Sequence, residues 1–147
     1  IREYMSKSAI DVIMMQYNML DRRPEELLSD LHERNISVFA RGPLAKGMLT
    51  EKALHYIAEK GKDGYLEYEE NELLKTVEQL SSLTNSLTQL SFQYLLQHPA
   101  VATIVFGAST EEQIIHNINK YTTEPLDGKL NERIKELTKF FPYQMHR

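Results

Sequence analysis

Short apolar runs alternate with stretches of helical spacing along this chain, and their order predicts its elements. Val12 to Tyr17 (V-I-M-M-Q-Y) is apolar almost throughout and predicts a buried strand. Arg22-Arg23-Pro24-Glu25-Glu26 then puts proline and acids at a helix's first turn. Leu27, Leu28 and Leu31 follow at helical spacing, so a short helix reaches Arg34. Ile36 to Ala40 (I-S-V-F-A) predicts a second strand, closed by Arg41-Gly42-Pro43. Leu73, Leu74, Val77 and Leu80 mark one helix, and Leu87, Leu90, Phe92, Leu95 and Leu96 mark another that ends before Pro99. Val101 to Phe106 is a β-branched run of the kind buried on both faces of a parallel sheet. A last amphipathic helix covers Asn131 to Phe141, with Ile134, Leu137 and the Phe140-Phe141 pair on its apolar side.

Two stretches need separate treatment. The linker from Leu44 to Tyr68 combines a helical turn at Ala53 to Glu59 with the loop signal Glu59-Lys-Gly-Lys-Asp-Gly64. Residues 53–72 are therefore expected to form a flexible insertion, and the acidic run Glu67-Tyr-Glu-Glu70 reads as the solvated first turn of the next helix. The second stretch runs from Val101 to Asn117, where a strand ends at Gly107 and turns directly into a helix. Ser109 with Glu112, and Thr110 with Gln113, form two overlapping capping boxes. Such a turn is either an ordinary N-cap or a phosphate site, because free N–H groups and the positive end of the helix dipole gather there.

The predicted order is strand, helix, strand, helices, strand, helix, which makes a parallel sheet with helices packed against it. Three strands are too few for a doubly wound sheet or a barrel, and in either case a ligand lies beyond the strand carboxyl ends. Gln16 with Asn18, Arg41 with Gly42, and Gly107 with Ser109 all fall there, on one rim.

Composition narrows the reading further. The 147 residues suit one domain, and 41% hydrophobic residues suffice for a core. A formal net charge of −4 argues against a nucleic-acid or anionic-membrane surface. With no cysteine there is no disulfide framework, thiolate nucleophile or Cys-ligated metal. No apolar run approaches the about 18 residues of a membrane span, and I-R-E-Y-M lacks a signal-peptide pattern, so the expected compartment is the cytoplasm. The first residue is not methionine, which suggests a piece of a longer protein.

Four landmarks carry a family resemblance: Gln16 in M-M-Q-Y-N-M-L, Val38 to Lys52 (V-F-A-R-G-P-L-A-K-G-M-L-T-E-K), Leu90 to Pro99 (L-S-F-Q-Y-L-L-Q-H-P), and Phe106 to Asn117 (F-G-A-S-T-E-E-Q-I-I-H-N). In this order the chain resembles the C-terminal part of an aldo-keto reductase. The resemblance implies an α/β fold, a partial (β/α)8 barrel of about strands six to eight, with residues 1–147 as a single partial domain that begins in the helix before the sixth strand. It also implies the extended NADP(H) binding of that family, with no metal.

The site residues follow from the same resemblance. Gln16 falls on the glutamine that hydrogen-bonds the nicotinamide carboxamide, and Arg41 falls where many members place an aromatic ring. Gly42, Pro43, Leu44 and Ala45 match the loop at the pyrophosphate, and Lys52 matches a phosphate-binding lysine. Gly107 and Ser109 match the 2′-phosphate loop, and Gln113 and Asn117 match side chains at the adenine. Some members carry Lys at the Gly107 position and Arg at the Gln113 position, and His116 replaces a frequent acid, which implies weak discrimination between NADP and NAD.

The family's Asp, Tyr, Lys and His set, by which it reduces a carbonyl, belongs to earlier strands. None of Tyr4, Tyr17, Tyr56, Tyr65, Tyr68, Tyr94, Tyr121 and Tyr143 is assigned as its proton donor. His32, His55, His98, His116 and His146 read as surface or capping residues. The resemblance implies a parent that reduces aldehydes or ketones, and a piece that is inactive alone. The alternative is a nucleotide-binding regulatory subunit like the potassium-channel β-subunits of the family. Barrel-facing Val12, Met14, Val38 or their neighbours, and unpaired outer strands, are expected to drive self-association of the isolated piece.

Overall fold

A computed structural model describes residues 9–142 of the chain. The helix expected ahead of the first strand, and Tyr4, Tyr143 and His146, lie outside the described residues. The described chain forms a three-stranded parallel sheet of β1 (Val12–Gln16), β2 (Ser37–Arg41) and β3 (Val101–Val105), in that spatial order. The helices are α1 (Glu25–Glu33), α2 (Ala53–Lys60), α3 (Glu70–Ser81), α4 (Leu87–Leu96), α5 (Glu111–Lys120) and α6 (Gly128–Leu137). A short 3-10 turn, Ala45–Gly47, follows β2.

Three of these six helices begin at a side-chain cap. Ser86 accepts from the Gln89 N–H at the start of α4, Thr110 from Gln113 at the start of α5, and Asp127 from Lys129 and Leu130 at the start of α6. The Asp127 cap explains why α6 starts at Gly128 rather than Asn131. Its other end is Thr138, in extended backbone, so Phe140 and Phe141 lie beyond the helix instead of within it. Likewise α3 starts at Glu70 with Glu69 as its cap, and Tyr68, inside the acidic run expected to be solvated, is buried.

The sheet has one covered face. Met15, Tyr17, Val38, Ala40 and Val101 enter a core with Leu27, Leu28 and Leu31 of α1 and Leu87, Leu90, Tyr94 and Leu95 of α4. The other face leaves Val12, Met14 and Val105 at 45%, 55% and 39% exposure. Two expectations are corrected by this. The third strand is not buried on both faces, since no layer covers the second face among the described residues. Val38, expected to face the barrel interior, is fully buried against the helices, and its neighbour Phe39 takes the open side because side chains alternate along a strand.

The helix layer is tied to the end of α6 through one half-buried acid, Glu25. The Tyr94 hydroxyl donates to Glu25 at 2.5 Å, and Tyr17 donates to the same oxygen at 3.3 Å. Arg22 bonds both carboxylate oxygens of Glu25 and spends its remaining donor on the backbone oxygens of Lys135 and Thr138 at the end of α6. Burial, reinforced by the neighbouring Glu25 charge, pushes both phenols well above the ordinary tyrosine range, so they remain donors at any pH the fold survives. Removing one partner of such a cluster strands the rest. Glu25→Ala is expected to lower unfolding free energy by about 3 kcal/mol in urea titrations, with a smaller loss for Tyr94→Phe.

Candidate functional site

The parallel register sets Gln16 opposite Arg41, and Arg41 opposite Val105, so the three strands end at one level. The segments leaving β2 and β3 from that level face each other across an open cleft of about 720 Å³. One wall is the loop after β2: Gly42, Pro43, Leu44, Lys46, Gly47, Thr50, Glu51 and Lys52. The other is the turn into α5: Phe106, Gly107, Ser109, Thr110, Glu112, Gln113, His116 and Asn117. Tyr56 and Lys60 of α2 close the end between them.

Of the eleven residues proposed from sequence, eight line this cleft: Gly42, Pro43, Leu44, Lys52, Gly107, Ser109, Gln113 and Asn117. Gln16 and Arg41 stand beside it on the open face of the sheet, where Arg41 Nη1 donates to Gln16 Oε1 at 3.1 Å. Ala45 turns the other way, buried in the core at 1% exposure, and Lys46 takes its place at the cleft. Both residues adopt positive φ, 45° and 59°, which reverses the chain within two residues.

The loop after β2 is shaped by its glycines. Gly42 adopts φ of +66°, a conformation that favours glycine, and lies over Gln16. Gly47 has no room for a side chain, since a Cβ there would fall 2.6 Å from the Tyr56 ring. Gly107 differs. A Cβ there meets nothing within 4 Å, so its small size keeps that wall of the cleft open without being required by the backbone.

At the start of α5 only one of the two capping boxes forms. Thr110 accepts the Gln113 N–H at 3.2 Å, while Gln113 Oε1 reaches back to the Ser109 N–H at 2.7 Å. Ser109 therefore lies one residue ahead of the cap, with its hydroxyl on the cleft wall. The Gln113 amide nitrogen also donates to the Tyr56 hydroxyl at 3.3 Å, a bridge from α5 to α2 across the end of the cleft.

A second bridge joins the two walls. His116 Nε2 lies 3.0 Å from Glu51 Oε2, and Glu51 also takes hydrogen bonds from the hydroxyls of Ser86 at 2.5 Å and Thr88 at 2.6 Å. Burial alone would push this carboxyl up; the two hydroxyls, its own backbone and His116 overcome that and hold it at about 2. Glu51 is an anion throughout the physiological range. Neither bridge was legible in the sequence, because the partners are 57 and 65 residues apart.

Below the rim lies a polar cluster that sequence reasoning also missed. Gln16 Nε2 donates to Asp21 Oδ2 at 3.0 Å and to the Tyr65 hydroxyl at 3.3 Å. Asn18 Nδ2 donates to the same hydroxyl at 3.1 Å and to the Gly42 carbonyl at 2.9 Å. Asp21 is fully buried and paired at 2.7 Å through each oxygen with Arg23. The segment 53–72, expected to be a flexible insertion, holds α2 and a bridged turn in which Tyr65 and Tyr68 are buried. No group of three or more metal-ligating side chains exists among the described residues.

This arrangement suits an extended anion with polar ends. Lysines 46, 52 and 60 and a helix N-terminus line one cleft beside backbone that is bare of side chains at Gly42. The description of the Aldo/keto reductase family matches residues 1–139. The chain belongs to the aldo/keto reductase family.

Relatives within the family are longer than the part this chain matches. It is 44% identical over 150 residues to the uncharacterized oxidoreductase YqkF of Bacillus subtilis, matching all of this chain and 49% of that protein. It is 26% identical over 127 residues to the NADH-specific methylglyoxal reductase of Escherichia coli, across 80% of this chain and 39% of that one. Among solved structures, the holo form of aldo-keto reductase AKR11C1 from Bacillus halodurans superposes with a TM-score of 0.86 at 39% identity, covering 99% of this chain and 49% of that chain. The chain thus spans about half the length of the relatives it matches, and its sheet and helices form a partial barrel of that family's fold. No helix among the described residues is long and apolar enough to cross a membrane.

The Glu51 anchor has a consequence for pH dependence. Its folded value of about 2 lies below the ordinary 4.5, so its contribution is fully present above pH 4.5 and lost as pH falls toward 2. Denaturant titrations of Glu51→Gln are expected to show a stability deficit at pH 7 that shrinks steadily below pH 4.5.

Proposed function

We propose that this chain is the cofactor-binding portion of an NADP(H)-dependent aldo-keto reductase whose whole protein reduces aldehydes or ketones. The observation that carries the reading is the cleft shared by the Gly42–Leu44 loop, Lys52 and the Gly107–Asn117 turn, with Gln16 beside it under Gly42. A dinucleotide bound there supplies a hydride. The residues of this chain orient it. Gln16 presents its amide oxygen, beside the Arg41 guanidinium, at the level where a nicotinamide carboxamide needs an acceptor. Gly42 lets backbone approach the pyrophosphate, and Lys46 and Lys52 offset its charge. Ser109 and the first N–H groups of α5 serve the adenosine end, where Gln113 and Asn117 flank the base.

Arg41 takes the place of a stacking ring and supplies a guanidinium plane on the open face, bonded to Gln16. The chain lacks the family's Asp, Tyr, Lys and His set, so by itself it is inactive. The absence of a membrane-crossing helix among the described residues supports a cytoplasmic protein.

The adenosine end favours NADP only weakly in this reading. Glycine at 107 and glutamine at 113 bring no cation to a 2′-phosphate, and Glu51 and Glu112 line the same cleft. The existence of an NADH-specific relative in Escherichia coli is consistent with a family in which this balance shifts. Titration of the protein that carries this chain is expected to give NADPH and NADH dissociation constants within about 100-fold, under about 2.7 kcal/mol. Gly107→Lys, which enters open space, is expected to tighten NADPH about tenfold and leave NADH unchanged. No binding of either dinucleotide contradicts the reading.

The isolated 147-residue chain is further proposed to self-associate. Val12, Met14 and Val105 are exposed on the sheet's uncovered face, and among the described residues β1 and β3 each keep a free edge. Light scattering at micromolar concentration is expected to give a dimer or larger; a stable folded monomer contradicts it.

A further inference from the structure

Tyr65 sits in the loop between α2 and α3, far in sequence from every residue the cofactor reading uses, yet its hydroxyl ends beneath Gln16. The loop is built to put it there. Gly64 adopts φ of +80°, and a Cβ on it would fall 2.3 Å from the Tyr68 carbonyl oxygen. Only glycine allows that turn. Tyr65 and Tyr68 then exchange both backbone hydrogen bonds, at 2.9 and 3.0 Å, and the buried Tyr68 hydroxyl takes the Lys139 N–H at 2.6 Å. The Tyr65 ring is thereby held at 8% exposure.

The position matters because of how an amide is oriented. A glutamine side chain can present either its oxygen or its nitrogen to a ligand, and the two faces are nearly the same size. Here both donors of Gln16 Nε2 have acceptors beneath the rim, Asp21 Oδ2 at 3.0 Å and the Tyr65 hydroxyl at 3.3 Å. A flipped amide would set Gln16 Oε1 against the Asp21 carboxylate. Oε1 therefore faces the open side, where Arg41 Nη1 reaches it at 3.1 Å and a second lone pair stays available. The same hydroxyl accepts from the buried Asn18 Nδ2, which also holds the Gly42 carbonyl, so the phenol is itself fixed in place. Burial pushes this phenol above its ordinary range, against the lowering effect of the Asn18 bond, so it remains a neutral acceptor.

We infer that Tyr65 is a positioning residue for the nicotinamide end of the site, its hydroxyl holding the Gln16 amide nitrogen inward together with Asp21, so that the amide oxygen faces outward to accept from the cofactor's carboxamide. The inference rests on the cofactor reading above. A ring that served only for packing would not need the hydroxyl, and Phe keeps the ring.

Tyr65→Phe in the protein that carries this chain separates the possibilities when two ligands are titrated: NADPH, and 2′,5′-ADP, which has the adenosine end but no nicotinamide. NADPH is expected to weaken about tenfold while 2′,5′-ADP binds as before, the size set by one lost hydrogen-bond acceptor. In a Gln16→Ala background the Tyr65→Phe effect is expected to vanish, because the group it positions is gone. Equal weakening of both ligands, or unchanged NADPH binding alongside a loss in Gln16→Ala, overturns the inference about Tyr65 alone. Unchanged NADPH binding in Gln16→Ala overturns the cofactor reading beneath it.

Discussion

The register of three parallel strands, with Gln16 level with Arg41 and Arg41 level with Val105, is the constraint from which the rest of the structure follows. A parallel sheet sends every strand's carboxyl end to the same side, and each helical return brings the chain back beneath. The chemistry-bearing segments are therefore those that leave the strands at that level. Shifting one strand by a single residue would move Gln16 or Arg41 to the helix-covered face and send Met15 or Ala40 outward. The register is secured by Met15, Val38, Ala40 and Val101, which are buried, while the opposite side chains face the open side.

Two kinds of interaction then give the rim its form. Glycines decide where backbone is bare: Gly42 by its positive φ, Gly47 by the Tyr56 ring pressed against it, Gly107 by leaving space. Polar bridges decide how far apart the walls stand. Gln113 to Tyr56 and His116 to Glu51 join α5 to α2 and to the loop after β2, and Ser86 and Thr88 anchor Glu51 from α4. The cleft is thus set by contacts between segments distant in sequence, with the core supplying only the platform.

That division explains what could be read from the chain. Strands were legible because Val12 to Gln16 and Val101 to Val105 are short apolar runs with turn residues behind them, and α4 because its leucines repeat at helical spacing and Pro99 follows. Strand faces were harder. The run I-S-V-F-A does not say whether Val38 or Phe39 points to the helices, and only pairing with β1 and β3 decides it. The end of α6 was misjudged because Phe140-Phe141 fits helical periodicity, whereas Thr138 is extended and its hydroxyl bonds back to Ile134. At the site, glycines and a capping pair are local signals and were visible. Ala45 and Lys46 exchange roles through two positive φ values that no propensity announces, and Tyr65 reaches Gln16 across 49 residues, a contact with no local signature beyond the Gly64 that precedes it.

One dinucleotide is proposed to span the loop after β2, the turn into α5 and the end of β1 at once. Backbone hydrogen exchange of the protein that carries this chain, with and without saturating NADPH, reads this out segment by segment. Exchange is expected to slow in residues 41–52 and 107–117 together, with the β1 end at 16–18 slowed in the same titration. Protection confined to one of these segments, or to the α1 and α6 side of the fold, would contradict it.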